Sequence, residues 1–109
     1  MSYFKFLNLV EAVRQLPSFP ALDAAEERLL NTFATRWHSG VHISVVEAMN
    51  LLPEISPSTA HRRLKTLRQK GLIALSPDET DSRIKYVVAT PKTEEYFGTL
   101  QDCLTRAQT

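Results

Sequence analysis

Apolar residues recur along this chain at helical spacing in five stretches, and the breaks between them fall at proline and glycine. Phe6, Leu9, Val10, Val13 and Leu16 mark one side of a first helix, Tyr3 to Leu16, that Pro17 ends. Phe4 and Leu7 fall on the far side of the same helix, so its first turns are apolar nearly all round. One side can enter a core, and the other needs a second cover. Another subunit is the simplest cover, which makes Phe4 and Leu7 the candidate dimerisation residues; a loop or the last helix of the same chain is the alternative. Asp23, with Glu26 three residues on, has the form of a capping box and opens a second helix running to about His38. Leu29, Leu30, Phe33 and Trp37 are its buried residues, and Gly40 stops it.

Val41-His42-Ile43 is a short alternating run that predicts one edge strand. Ser44 and Glu47 repeat the capping box and start a short third helix carrying Val45, Val46, Ala48, Met49 and Leu52, ended by Pro53. A fourth helix follows with both ends specified. Ser56 is a good N-cap, Pro57 at the first helical position gives up an amide that would lack a partner, and Gly71 suits the left-handed turn beyond the end. Leu72–Leu75 and Ile84–Ala89 read as two strands of a hairpin joined through the polar residues 76–82. Pro91 begins a last helix with Tyr96, Phe97, Leu100, Cys103, Leu104 and Ala107 on one apolar side.

The fourth helix changes the picture from fold to function. Ala60, Leu64 and Leu67 form a narrow apolar stripe that must pack inward. Opposite them lie Ser58, His61, Arg62, Lys65 and Gln69. Residues 56–70 hold five Lys/Arg and no Asp/Glu, although the formal net charge of the chain is only +1. Residues 56–91 hold seven Lys/Arg against three Asp/Glu; residues 1–55 hold four against six, and residues 92–109 two against three. A solvated helix side ordinarily mixes signs, whereas one bearing only donors repels itself until a polyanion faces it. An ordinary basic surface is the plainer alternative.

Other classes of function find little support. A chain of 109 residues fits one domain, and 43% hydrophobic with 23% charged residues is the composition of a soluble globular protein. No apolar run reaches the ~20 residues that cross a bilayer, no secretory signal is read at the N-terminus, and the single Cys103 excludes an internal disulfide, so the expected location is the cytoplasm. Cys103 is expected to be buried and inert. His38 and His42 are four apart, but Gly40 separates them and no third ligand is near, so no metal site is expected. No nucleophile–base order, paired acid cluster or glycine-rich phosphate loop stands out, so neither an enzyme nor a cofactor is expected.

Residues 56–73, Ser-Pro-Ser-Thr-Ala-His-Arg-Arg-Leu-Lys-Thr-Leu-Arg-Gln-Lys-Gly-Leu-Ile, resemble the recognition helix and following strand of winged helix-turn-helix regulators, particularly the MarR type. Asp81-Ser82-Arg83 matches the Asp-x-Arg wing motif of that family, and Ala89-Thr90-Pro91-Lys92 is similar to the Leu-Thr-Pro-Lys that opens its next helix. The resemblance covers about residues 22–98. It implies that Ser58, Thr59, His61, Arg62 and Lys65 face a DNA groove or its phosphates, that Arg83 reaches the adjacent minor groove, and that Asp81 braces that arginine. The chain departs from the family in the longer connection Leu52-Pro53-Glu54-Ile55, in Thr93 where the family has glycine, and in its one C-terminal helix.

The reading is therefore a mainly α protein with a small β-hairpin wing, a winged helix-turn-helix in a single domain over 1–109. Residues 1–16 form the dimerising helix, 22–90 the winged core and 91–108 the last helix. It is expected to bind double-stranded DNA as a homodimer and to regulate transcription, with no membrane partner. The candidate contacts are Ser56, Ser58, Thr59, His61, Arg62, Lys65, Arg68, Arg83 and Lys85. Arg62 is the best base reader; Lys65, Arg68 and Lys85 suit phosphates; Arg63 and Lys70 are expected to pack against the wing. A winged-helix protein-interaction module that never touches DNA, and an accessory factor of plasmid or phage replication, are the rival functions. The sequence names no small-molecule effector.

Overall fold

A computed structural model describes residues 2–15 and 19–108. Two compact units emerge, residues 22–90 and, separately, residues 1–21 with 91–109. Leu16 and Pro17, expected to complete and end the first helix, lie outside the described residues.

The 22–90 unit holds three helices and a small sheet: α2 (Ala24–His38), β1 (Ile43–Ser44), α3 (Val45–Met49), α4 (Pro57–Gln69), β2 (Ile73–Pro77) and β3 (Lys85–Ala89). Strand order is β1-β3-β2, antiparallel throughout, with Ile43 opposite Val87 and Leu75 opposite Val87 on the other side. Leu29, Leu30, Phe33, Ile43, Ala48, Ala60, Leu67, Leu72, Ile73 and Val87 are buried. The stripe expected on α4 is thus the one that packs. Asp23 and Ser44 make reciprocal capping boxes with Glu26 and Glu47, and Ser56 caps α4 ahead of Pro57.

Helices α2 and α4 end in the same way. Gly40 and Gly71 take φ of 76° and 78°, a conformation that costs a residue with a Cβ. Past each glycine the chain turns back: Val41 N–H bonds Arg36 C=O at 2.9 Å, and Leu72 N–H bonds Leu67 C=O at 3.0 Å. These are Schellman closures. Leu72 is buried at its turn, which aims the chain straight into β2, whereas Val41 stays exposed.

That closure explains why the first strand is Ile43–Ser44 and not Val41–Ile43, since Val41 is spent ending α2. Other expectations shift as well. Trp37 is half-buried, because its indole N–H reaches Val87 C=O at 3.0 Å and holds the ring beside the sheet. Helix α3 is only five residues long, and Val45, Ala48 and Met49 make its inner side; Val46 points out and is 71% exposed. Leu52 lies beyond α3. The hairpin strands are Ile73–Pro77 and Lys85–Ala89, so Ile84 belongs to the turn.

The other unit pairs α1 (Ser2–Arg14) with α5 (Pro91–Ala107). Val10 and Val13 of α1 are buried, as are Thr93, Tyr96, Cys103 and Ala107 of α5. Phe19 stacks edge-on against Tyr96 with centroids 5.7 Å apart. Leu104 is exposed, one helical step round from the buried stripe. Tyr3, Phe4 and Leu7 are exposed on α1. No described helix is long and apolar enough to cross a membrane.

Candidate nucleic-acid interface

Three sides of α4 meet three different surroundings. Ala60, Leu64 and Leu67 face the core. Arg63, Thr66 and Lys70 recur at i, i+3, i+7 and face α2. Lys70 Nζ donates to Glu26 Oε1 at 2.7 Å, and Thr66 Oγ1 donates to Glu26 Oε2 at 2.9 Å. Arg63 Nε lies 3.0 Å from Asp23 Oδ2, an ion pair by distance although its angle is outside hydrogen-bond geometry. Arg63 and Lys70 therefore pack on the start of α2 and not on the wing. No local pattern signals these pairings, since they join residues 40 and 44 apart in the chain. Burial is the largest influence on the Glu26 carboxyl and pushes its pKa up. The Asp23 amide, Lys70 and Thr66 together outweigh it and leave the value below that of an ordinary carboxyl.

The remaining side is open. Ser58, His61, Arg62, Lys65, Arg68 and Gln69 are all exposed, and no acidic residue stands among them. Arg62, Lys65 and Arg68 form no ion pair among the described residues. At the N-terminal end, Ser56 Oγ accepts from Thr59 N–H at 3.2 Å, and Arg62 Nη2 reaches Thr59 Oγ1 at 3.4 Å. Ser56 and the half-buried Thr59 thus build the helix start from which Arg62 projects. His61, Lys65 and Arg68 edge a groove of about 330 Å³ floored by Leu64, Ile73 and Leu75, between α4 and β2.

The turn behind β2 is organised by one carboxylate. Asp78 accepts from Thr80 Oγ1 at 2.8 Å, from the Thr80 and Asp81 amides at 3.0 Å each, and from Tyr86 Oη at 2.8 Å. These bonds, led by the Thr80 hydroxyl, hold its pKa down at about 2. Tyr86 is raised in turn, since ionising would cost the bond to Asp78. At the tip, Arg83 Nε and Nη2 donate to the two Asp81 oxygens at 3.0 Å each. The pairing lowers the Asp81 pKa and raises that of Arg83. Two of the five guanidinium N–H groups are so engaged, and the Arg83 side chain stays 88% exposed. Lys85 is exposed at the start of β3.

Arg62, Lys65 and Arg68 lie on one helix side, and the hairpin bearing Arg83 and Lys85 follows directly on that helix. The arrangement presents several cationic donors on one open surface. Among the described residues no three His, Cys, Asp or Glu side chains come together to hold a metal.

No protein-family model matches this chain, and no curated protein does. Solved structures do. The transcriptional regulator Tm0710 of Thermotoga maritima superposes with a TM-score of 0.64 at 18% identity, over 97% of this chain and 66% of its own. The MarR-like regulator Tm0816 of the same organism gives 0.65 at 19% identity, over 97% of this chain and 74% of its own. This chain carries the MarR-like winged-helix fold. Bordetella bronchiseptica BpsR, whose DNA binding is regulated by 6-hydroxynicotinic acid, matches with a TM-score of 0.53 at 20% identity, over 97% of this chain and 73% of its own. This chain spans about two-thirds of the length of Tm0710. On the MarR-like frame, α3 and α4 are the helix-turn-helix and β2–β3 the wing.

Proposed function

We propose that this protein is a transcription regulator that binds double-stranded DNA by sequence. Helix α4 would enter the major groove, which admits a helix, while the wing meets the neighbouring minor groove or backbone. The observation that carries this reading is the division of charge on α4. Two of the five bases in residues 56–70 are neutralised at the start of α2, and Arg62, Lys65 and Arg68 stand together facing solvent with no acid beside them. A guanidinium can bond both acceptors of guanine, so Arg62 reads bases; Lys65, Arg68 and Lys85 meet phosphates, and Ser58 and His61 add hydroxyl and imidazole contacts. Arg83 keeps N–H groups beyond those held by Asp81, and a narrow minor groove attracts such a cation.

The exposed Tyr3, Phe4 and Leu7 on α1 support a homodimer, in which two copies read half-sites about one helical turn apart. Titrating the protein into a random-sequence duplex pool across a range of salt tests the reading. Binding should weaken steeply and log-linearly as salt rises. Absence of binding at low salt, or affinity indifferent to salt, would overturn it. Mass in solution, compared between the wild type and Phe4→Glu/Leu7→Glu, tests the dimer: the wild type should be dimeric and the variant monomeric.

A further inference from the structure

Glu26 takes no part in the proposed duplex contact, yet it is the one buried charged side chain among the described residues. Its carboxylate is met from three directions. Oε1 accepts from the Asp23 amide at 3.0 Å and from Lys70 Nζ at 2.7 Å, and Oε2 accepts from Thr66 Oγ1 at 2.9 Å. One group therefore closes the start of α2 and grips α4 at two points a helical turn apart. The core contacts of α4 do this less well. Ala60, Leu64 and Leu67 lie in a single narrow line near the helix axis, so their packing resists a small roll less sharply than bonds made on the flank. Hydrogen bonds fix angle as well as distance. Lys70 and Thr66 stand on the flank of α4, where such bonds resist rolling most effectively.

Arg62 and Lys65 lie further round the same cylinder, clear of α2, so any roll of α4 swings their tips. We propose that Glu26 is a positioning residue: by holding Thr66 and Lys70 it sets the rotation of α4 and so the aim of Arg62 at base edges. The proposal rests on the duplex-binding reading above. It assigns Lys70 to orientation, and it separates sequence discrimination, which needs aim, from phosphate attraction, which mostly needs charge.

The test uses the full chain as wild type, Glu26→Gln, Lys70→Met and the double variant. A duplex recovered by the wild type from a random pool serves as the selected probe, and the unselected pool as the non-specific one. Working well below every melting temperature, Glu26→Gln and Lys70→Met should each lose about tenfold in affinity for the selected duplex, a loss on the scale of one misaligned bidentate pair. Affinity for the unselected pool should not fall in Glu26→Gln, which removes a negative charge and keeps every base of the open side. A residue that merely stabilised the fold would leave the ratio of the two affinities as it was, and an unchanged ratio in folded variants overturns the proposal. If Glu26→Gln does not fold, Lys70→Met carries the test, because the Lys70 side chain is 29% exposed and Glu26 keeps its bonds to Asp23 and Thr66. The double-mutant cycle between positions 26 and 70, read by thermal unfolding, needs no DNA. Strong coupling supports the tie, and zero coupling breaks it. A wild type that recovers no duplex defeats the duplex-binding reading, and the cycle still decides whether Glu26 holds α4.

Discussion

Arg62 and Arg63 are neighbours in sequence and about 100° apart around α4, and they meet opposite surroundings. Arg63 turns toward Asp23 at the start of α2, while Arg62 faces solvent with only the Thr59 hydroxyl beside it. Lys70 and Lys65 repeat the contrast, one against Glu26 and the other exposed. A count of bases on α4 therefore overstates the charge offered to a partner, and a count of acids in the chain understates the open cationic surface, because Asp23 and Glu26 are used internally. What a helix presents is set by the partners its flanks find, and only the remainder is available for recognition.

The strongest way to break this contrast is to empty the open side. Arg62→Ala/Lys65→Ala/Arg68→Ala should cut duplex affinity at least about a hundredfold at 0.1 M salt, and flatten the slope of log affinity against log salt by about 3. Its melting temperature should stay near that of the wild type, since exposed substitutions away from packing shift stability by only about 0.5 kcal/mol. A binding loss accompanied by unfolding would assign these residues to the fold instead.

The single neighbours sharpen it. Arg62→Ala should cost about 1–3 kcal/mol in affinity for a selected duplex, with stability unchanged. Arg63→Ala should leave the salt slope intact and cost less than about 1 kcal/mol of stability, because that pair is partly exposed and screened. Paired titrations and melts of the two variants check this. Identical behaviour would dissolve the distinction between the two sides.

Most of this frame was legible in the sequence. Caps at Asp23, Ser44 and Ser56, and glycines at 40 and 71, act within a few residues, so pattern alone places α2, α3 and α4. The inner stripe Ala60, Leu64 and Leu67 follows from spacing for the same reason. What was not legible depended on long-range partners or on single helical steps. Glu26 reads as a capping residue and is also that, but its hold on Lys70 joins residues 44 apart in the chain. Val46 and Leu104 are apolar beside apolar neighbours, and only the angle around a helix separates them from the core. Arg83 was found through a motif, whereas Asp78, which bonds across the turn to Tyr86, belongs to none.

The wing offers a smaller test than α4. Arg83→Ala should weaken duplex binding about five- to tenfold, on the scale of one lost charged contact. Equal loss for selected and unselected duplexes would assign Arg83 to the backbone, and a larger loss for A·T-rich selected sites would assign it to the minor groove.

The smallest effect expected concerns the turn that carries Arg83. Asp78 has its pKa lowered from 3.8 to about 2 by the donors it accepts, so its charged form favours the folded turn. A lowered value in the folded state means the contribution is complete above about pH 4 and fades as pH falls toward 2. Tyr86 has the opposite sign. Its pKa is raised above 10.0 chiefly by donating to Asp78, so that contribution is complete below 10.0 and is lost as pH climbs through the raised value. One variant reads both. Asp78→Asn keeps the shape of the side chain and removes its charge, and the Tyr86 titration, followed by NMR of the ring, should move back down toward 10.0. Because Asp78 anchors the turn and Asp81 grips Arg83, the Thr80 and Asp81 amides should lose protection from exchange while the Arg83–Asp81 pairing shifts survive. A Tyr86 titration that does not move would mean the phenol and the carboxylate are not bonded in solution, and the wing would need another anchor.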